Sequence, residues 1–260
     1  MTKPSSRPRA SPLVRASLHL HWLAPLALLA APRWWTSILG VVVADHLLLT
    51  AGSLWPRSGW VGGNVRRLPA SHGAVALTFD DGPDPEGTPR VLDLLERHGV
   101  SASFFLVGRR AEAAPALVAE IAARGHTVEN HSYRHSNAFC FYPPARAARD
   151  LARCQRILTE LSGTAPRWFR APAGLRNPWL DGVLRRQGLR LASWTRRGFD
   201  TTTDDPARVA ARLQRDLGPG DVLLLHDRSP SGRAALPLLL EAIERRGLRA
   251  AALPRDHASR

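Results

Sequence analysis

The amino-acid sequence predicts a parallel α/β protein whose strands close, or nearly close, into a barrel behind a hydrophobic N-terminal segment. Three observations predict it. Beyond residue 70, seven short apolar runs alternate with amphipathic stretches whose apolar residues recur at helical spacing, the rhythm of a parallel sheet covered by helices. No G-x-G-x-x-G opens a helix, which disfavours an open dinucleotide-binding sheet. The unusual polar residues all fall at the C-terminal ends of the strand candidates, where such barrels gather their chemistry.

Residues 1–16 are polar and basic, with Lys3, Arg7, Arg9 and Arg15 among Ser and Pro, and read as a disordered arm. Residues 17–56 are expected to form one or two transmembrane helices, from a short run at 18–32 (LHLHWLAPLALLAAP) and a second from Trp34 to Trp55. The second has 22 residues, enough to cross a hydrocarbon core, and a tryptophan at each end where interfacial aromatics belong. Asp45 and His46 interrupt it and are expected to face protein rather than lipid. The apolar region is longer than that of a cleavable signal peptide. By the placement of basic residues, two spans would leave both chain ends in the cytoplasm, whereas one span would send the rest of the chain outside. Residues 57–70 read as a linker and 256–260 as a tail.

The strand candidates are 74–79, 102–107, 126–129, 167–170, 189–194, 221–226 and 248–252. A chain of 260 residues suits one medium domain plus an appendage. Its formal charge is +14, and Lys3 is the only lysine, which excludes a Walker-type phosphate lysine and a Schiff-base lysine inside the domain. The arginines are dispersed through helical segments without interleaved aromatics, so no nucleic-acid partner is expected despite the high isoelectric point. Two cysteines, Cys140 and Cys154, make neither a disulfide framework nor a cysteine-based metal site. The absence of a G-x-S-x-G elbow disfavours a serine hydrolase.

The stretch TFDDGPD ends the first strand in two adjacent carboxylates, Asp80 and Asp81. A turn needs only one of them, and neighbouring anions repel. After the third strand comes NHSYRH, where His131 and His135 stand four apart. On a helical turn their imidazoles would point the same way and share a cation, with Asp81 adding an oxygen ligand. Three protein ligands leave a coordination position open for water, as a catalytic site requires. Arg170 follows the fourth strand, Asp200 the fifth, and His226 ends the sixth, an apolar strand where a histidine needs a reason to be.

Five segments in order, TFDDGPD, HSYRH, RAPAG, RRGFD and LLLHD, resemble the motifs of the polysaccharide deacetylase family, the NodB-homology group of carbohydrate esterases. The resemblance covers about residues 71–255 and implies a distorted (β/α)7 barrel. It implies a hydrolase that removes an N-acyl group, normally acetyl, from an amino sugar of a polysaccharide, glycan or lipid-linked saccharide. By the same resemblance Asp80 would be the general base, and Asp81, His131 and His135 would hold a divalent metal, with zinc expected. Arg170 would keep Asp80 ionised, and Asp200 would do so for a protonated His226, the general acid. The backbone N–H of Ala173 would stabilise the oxyanion, with Leu224 and Thr201 also on the substrate side.

Two departures stand out: the family usually has an aromatic where this chain has Ala173 and a tryptophan where it has Thr201. Both losses put a classical chitin or peptidoglycan groove in question. The alternative, a carbohydrate-binding or scaffolding protein without turnover, is disfavoured because every matched catalytic position is present. Residues 1–70 carry eight basic residues against one acid, and the remainder 28 against 21. A basic domain beside a membrane suits a sugar phosphate or diphosphate lipid. The expected location is the bacterial inner membrane, with the catalytic domain in the cytoplasm if both runs span.

Overall fold

The computed structural model describes residues 11–70 and 73–255. Two antiparallel helices come first, α1 (Pro12–Ala30) and α2 (Trp35–Leu54), joined by a single 3-10 turn. Ser11 caps α1, its hydroxyl accepting from the Val14 N–H at 3.2 Å, and Pro12 occupies the first turn. These start signals draw residues 12–16, expected in the basic arm, into the helix. The expectation for residues 1–10 and for the tail lies outside the described residues.

Both helices are long and apolar enough to cross a membrane, with mean hydropathy 1.3 for the first and 1.7 for the segment containing the second. They turn large apolar side chains outward, Trp22 and Leu29 being about four-fifths exposed. Asp45 is buried between the helices, where it accepts the Ser17 hydroxyl at 2.7 Å. His46, by contrast, is exposed, its Nδ1–H donating to the Val42 carbonyl one turn back at 2.8 Å. Asp45 therefore faces protein as expected, and His46, though largely exposed, packs edge-on against His21 of α1 with ring centres 5.0 Å apart.

Eight parallel strands make the sheet, in the order β5-β4-β3-β2-β1-β7-β6, with β8 also pairing β1. They are β1 (Ala74–Gly82), β2 (Ser103–Leu106), β3 (Thr127–Asn130), β4 (Trp168–Phe169), β5 (Arg190–Leu191), β6 (Arg196–Arg197), β7 (Val222–His226) and β8 (Arg249–Ala251). Along β1 the pleat sends Val75, Leu77 and Phe79 into the outer core under the helices and Ala76 into a smaller inner core with Phe105 and Trp168. The covering helices are α3 (Gly87–Arg97), α4 (Gly108–Ala113), α5 (Pro115–Ala123), α6 (Pro144–Ser162), α7 (Leu180–Arg186), α8 (Pro206–Gln214) and α9 (Pro230–Arg245), of which α6, α8 and α9 bury one face each. The sheet curls into the half-barrel of a (β/α)7 fold, as its alternation of elements predicts.

Three local departures shape the site. First, β1 does not end before its two carboxylates. Asp80 keeps register with Phe105 on β2 and with His226 on β7, and the register with β2 then shifts across Asp81, whose φ is +73°. This bulge re-aims one side chain without breaking the strand. Second, the strand expected at 189–194 is cut to β5, and β6 follows it. The carbonyls of Ala192 and Ser193 are taken by the Arg170 guanidinium instead of a strand partner, at 3.2 and 3.0 Å. Third, residues 57–70 do not run free. Val65 bridges Ala192, its N–H donating to Leu191 O and its carbonyl accepting from Ser193, both at 2.9 Å. The Leu68 N–H donates to Gly220 O at 2.7 Å, and Val61 and Leu68 are buried.

Candidate active site

The bulge answers why two anions stand side by side. Asp80, on the ladder, points into the barrel, where its Oδ1 accepts from Arg170 Nη1 at 2.6 Å. Arg170 is 1% exposed, and its burial is compensated in full view of its chemistry: it also donates to Thr78 Oγ1 at 2.9 Å and to the two freed carbonyls. Its guanidinium lies 4.1 Å from the centre of the Phe105 ring. A guanidinium so thoroughly paired holds the Asp80 side chain in one orientation.

Asp81 is turned the other way, toward the histidines. Its Oδ1 lies 3.0 Å from His135 Nε2 and 3.7 Å from His131 Nε2. Residues 131–135 are not the helical turn that their spacing suggests. They form an irregular loop with Ser132 and His135 at positive φ, held by side chains: Asn130 Oδ1 accepts from Ser132 N at 2.9 Å, Ser132 Oγ from His135 N at 3.0 Å, and Asp150 Oδ1 from Tyr133 N at 2.8 Å. The His131 Nδ1–H donates to the Arg170 carbonyl at 2.8 Å, leaving Nε2 with a free lone pair.

These donors fit a divalent cation. Asp81 Oδ1 is buried with no hydrogen bond despite its nearness to His135. Burial, reinforced by the neighbouring His131, pushes the His135 pKa down to about 4, so the ring is a neutral ligand at ordinary pH. Burial works against the Asp81 charge, but His131, His135, His226 and Arg110 outweigh it and hold the carboxyl below its usual range.

His226 completes the rim from β7. Its Nδ1 lies 2.9 Å from Asp200 Oδ1, and its backbone N–H donates to Asp200 Oδ2 at 2.8 Å. Asp200 is fixed in turn by the hydroxyls of Ser229 and Ser231, which donate to its backbone carbonyl. Burial disfavours the imidazolium, yet the Asp200 bond and charge, with Asp80 and Asp81 behind them, raise the His226 pKa above the ordinary histidine value.

Asp80, Asp81, His131, His135, Ala173, Thr201, Leu224 and His226 line one cavity of about 230 Å³, with Arg170 and Asp200 directly behind it. Ala173 has φ +54°, and its N–H enters no backbone hydrogen bond among the described residues. Four contributors were not singled out from sequence. Thr78 supports Arg170, and Arg110 donates to the Asp81 backbone carbonyl. Trp194 and Arg197 form part of the cavity wall. Trp194 and Arg197 sat in or beside a run read as an ordinary strand. The two-residue alternation from Thr78 to Asp80 was the signal for Thr78.

Residues 67–192 match the polysaccharide deacetylase family model. The chain is 33% identical to a peptidoglycan-N-acetylglucosamine deacetylase of Bacillus cereus, over 72% of this chain and 69% of that protein. It is 32% identical to a chitooligosaccharide deacetylase of Bradyrhizobium, over 71% of this chain and 90% of the relative. Its fold superposes on the solved Bc1960 peptidoglycan N-acetylglucosamine deacetylase with a TM-score of 0.69 and 31% identity, covering 74% of this chain and 91% of that one. This chain belongs to the polysaccharide deacetylase family, metal-dependent hydrolases of the N-acetyl amide bonds of sugars.

Proposed function

We propose that this protein removes the acetyl group from an N-acetylated amino sugar of a glycan or lipid-linked saccharide presented at a membrane surface. The observation that carries the reading is the division of the Asp80–Asp81 pair, one carboxylate on Arg170 and the other on two histidines. Asp81, His131 and His135 would hold the divalent ion. Two imidazoles and a carboxylate suit zinc, which when bound polarises the amide carbonyl and makes water acidic.

Asp80, held in place by Arg170, accepts a proton from the attacking water. The N–H of Ala173, with no other backbone partner, is available to the oxyanion that forms as the carbonyl becomes tetrahedral. His226, charged through Asp200, gives its Nε2 proton to the leaving nitrogen, and the C–N bond breaks to a free amine and acetate. His226 and Asp80 are register partners on adjacent strands, so acid and base are set on a common rigid ladder.

Two antiparallel apolar helices with outward-facing tryptophans and leucines support anchoring by two spans. Two spans would leave the barrel on the side of residues 1–10, the cytoplasm by the placement of the arginines. The test is acetate release from N-acetylglucosamine oligosaccharides and from a prenyl-linked N-acetylated sugar, before and after chelation and zinc return. Release that is dependent on metal and abolished in Asp80→Asn is the expected result. Release unaffected by either change would overturn the reading.

A further inference from the structure

Between the catalytic cavity and the end of α2 lies a second groove, of about 520 Å³. Trp55 and Arg57 enter it from the chain leaving α2, Trp194 and Arg197 from the β5–β6 edge, and Arg212 and Arg215 from the region of α8. Trp194 and Arg197 line the catalytic cavity as well, so the two spaces share a wall.

The groove contains no carboxylate. Arg196 is committed to Asp221 at 2.7 Å, but among the described residues Arg57, Arg197, Arg212 and Arg215 make no ion pair. Arg57 donates to the Thr195 carbonyl and Arg212 to that of Gly198, each at 3.3 Å, which leaves their charges uncompensated. Arg197 lies over Phe199 at 4.9 Å and near Trp194 at 5.5 Å, and its Nε is buried without a hydrogen-bond partner. Aromatic faces hold that guanidinium in place without neutralising it. Four like charges around one groove repel unless an anion joins them, and arginine forks match phosphate oxygens in pairs.

We infer that this groove is a subsite for a phosphate or diphosphate carried by the sugar whose N-acetyl group occupies the adjacent cavity. The inference rests on the deacetylase reading and names the substrate more closely, as a phosphorylated, lipid-linked amino sugar. Its position argues for a substrate phosphate. The shared Trp194–Arg197 wall places the anion next to the reacting sugar, and Trp55, packed edge-on against Trp60 at 5.9 Å, marks the end of the apolar helix along which a lipid tail would run.

The test uses the full chain in detergent micelles with the double variant Arg57→Gln, Arg215→Gln, both positions being exposed. The ratio of kcat/KM for N-acetylglucosamine on a short prenyl diphosphate to that for the neutral oligosaccharide should fall about tenfold or more in the variant. Inorganic pyrophosphate, titrated by calorimetry, should bind the parent chain and bind the variant about tenfold more weakly. An unchanged ratio, or pyrophosphate binding indifferent to the two arginines, would overturn the subsite. Hydrolysis of the neutral oligosaccharide with no pyrophosphate binding would also sink it and leave the deacetylase reading intact. Arginine-dependent pyrophosphate binding with neither sugar hydrolysed would instead keep the anion site and overturn the deacetylase reading. Short-chain phosphatidylglycerol that binds as tightly as pyrophosphate, with the same arginine dependence and no change in the substrate ratio, would reassign the groove to membrane headgroups and defeat the substrate claim.

Discussion

Asp80 and Asp81 are adjacent in sequence, yet Asp80 Oδ1 lies 2.6 Å from an arginine nitrogen and Asp81 Oδ1 lies 3.0 Å from a histidine nitrogen. The positive φ at Asp81 separates their environments. Asp80→Asn is expected to retain about one metal ion per chain while losing on the order of 100-fold or more in turnover, the scale for removing a general base. Asp81→Asn and His131→Ala are expected to lose metal and activity together. Metal content by atomic emission beside initial rates checks this, and equal metal loss in both aspartate variants would reverse the assignment.

The contact between Asp200 and His226 sets a limb of the pH profile. Asp200 favours the imidazolium, so the His226 pKa lies above the ordinary value and the acid form persists into higher pH. Asp200→Asn removes the charge and lowers that pKa. The descending limb of kcat/KM should therefore move to lower pH in the variant, with kcat reduced at neutral pH. Profiles that superimpose would remove Asp200 from this role.

Asp227, next in sequence to that acid, has a structural titration. It is fully buried, and burial pushes its carboxyl up to about 7, against the opposing 2.5 Å bond from the Thr88 hydroxyl. Because the folded pKa is raised, its contribution to stability is full below about 4 and is lost as pH rises through about 7. Thermal unfolding of the parent should lose stability between about pH 4 and 7, and Asp227→Asn should lose less across that window.

Truncation should be sharply position-dependent. A chain beginning at Pro56 keeps Val61, Val65 and Leu68 and should fold with its metal site. One beginning at residue 69 loses two buried apolar side chains, worth about 1.5–3 kcal/mol each, and the backbone bridge across the β5 edge. Circular dichroism melts of the two fragments check this, and equal melting temperatures would show the bridge to be dispensable.

Most of the strands and seven candidate positions, Asp80, Asp81, His131, His135, Arg170, Asp200 and His226, were legible because they depend on local pattern: apolar runs, helical periodicity and polar residues at strand ends; Ala173, Leu224 and Thr201 came only from the family resemblance. What was not legible depends on distant partners. The His131–His135 loop owes its shape to Asn130 and to Asp150 on α6, so its four-residue spacing suggested a helix that does not form. Strand β6 is two residues long, and its neighbour β5 is short because a side chain, Arg170, occupies the carbonyls beyond it. Residues 57–70 have turn-rich composition, and only the assembled sheet reveals that they bridge its edge. The arginine groove collects residues from three segments far apart in sequence, so no local pattern announces it.

The chain leaving α2 is pressed directly onto the floor of the site. Gly174, at φ +74°, follows Ala173, and a Cβ there would meet Pro56 and Trp194 at 2.7 Å each. The Arg176 N–H, two residues on, donates to the Ser53 carbonyl at the end of the helix. A free tether as long as residues 57–70 would let the cavity wander about 20 Å from its anchor. Clamped this way, the cavity opens at a fixed height above whatever plane α2 ends in. With α2 ending at a membrane surface, as proposed, height would become a criterion of selection: sugars displayed in that thin layer would be within reach, and identical sugars further out along a polymer would not.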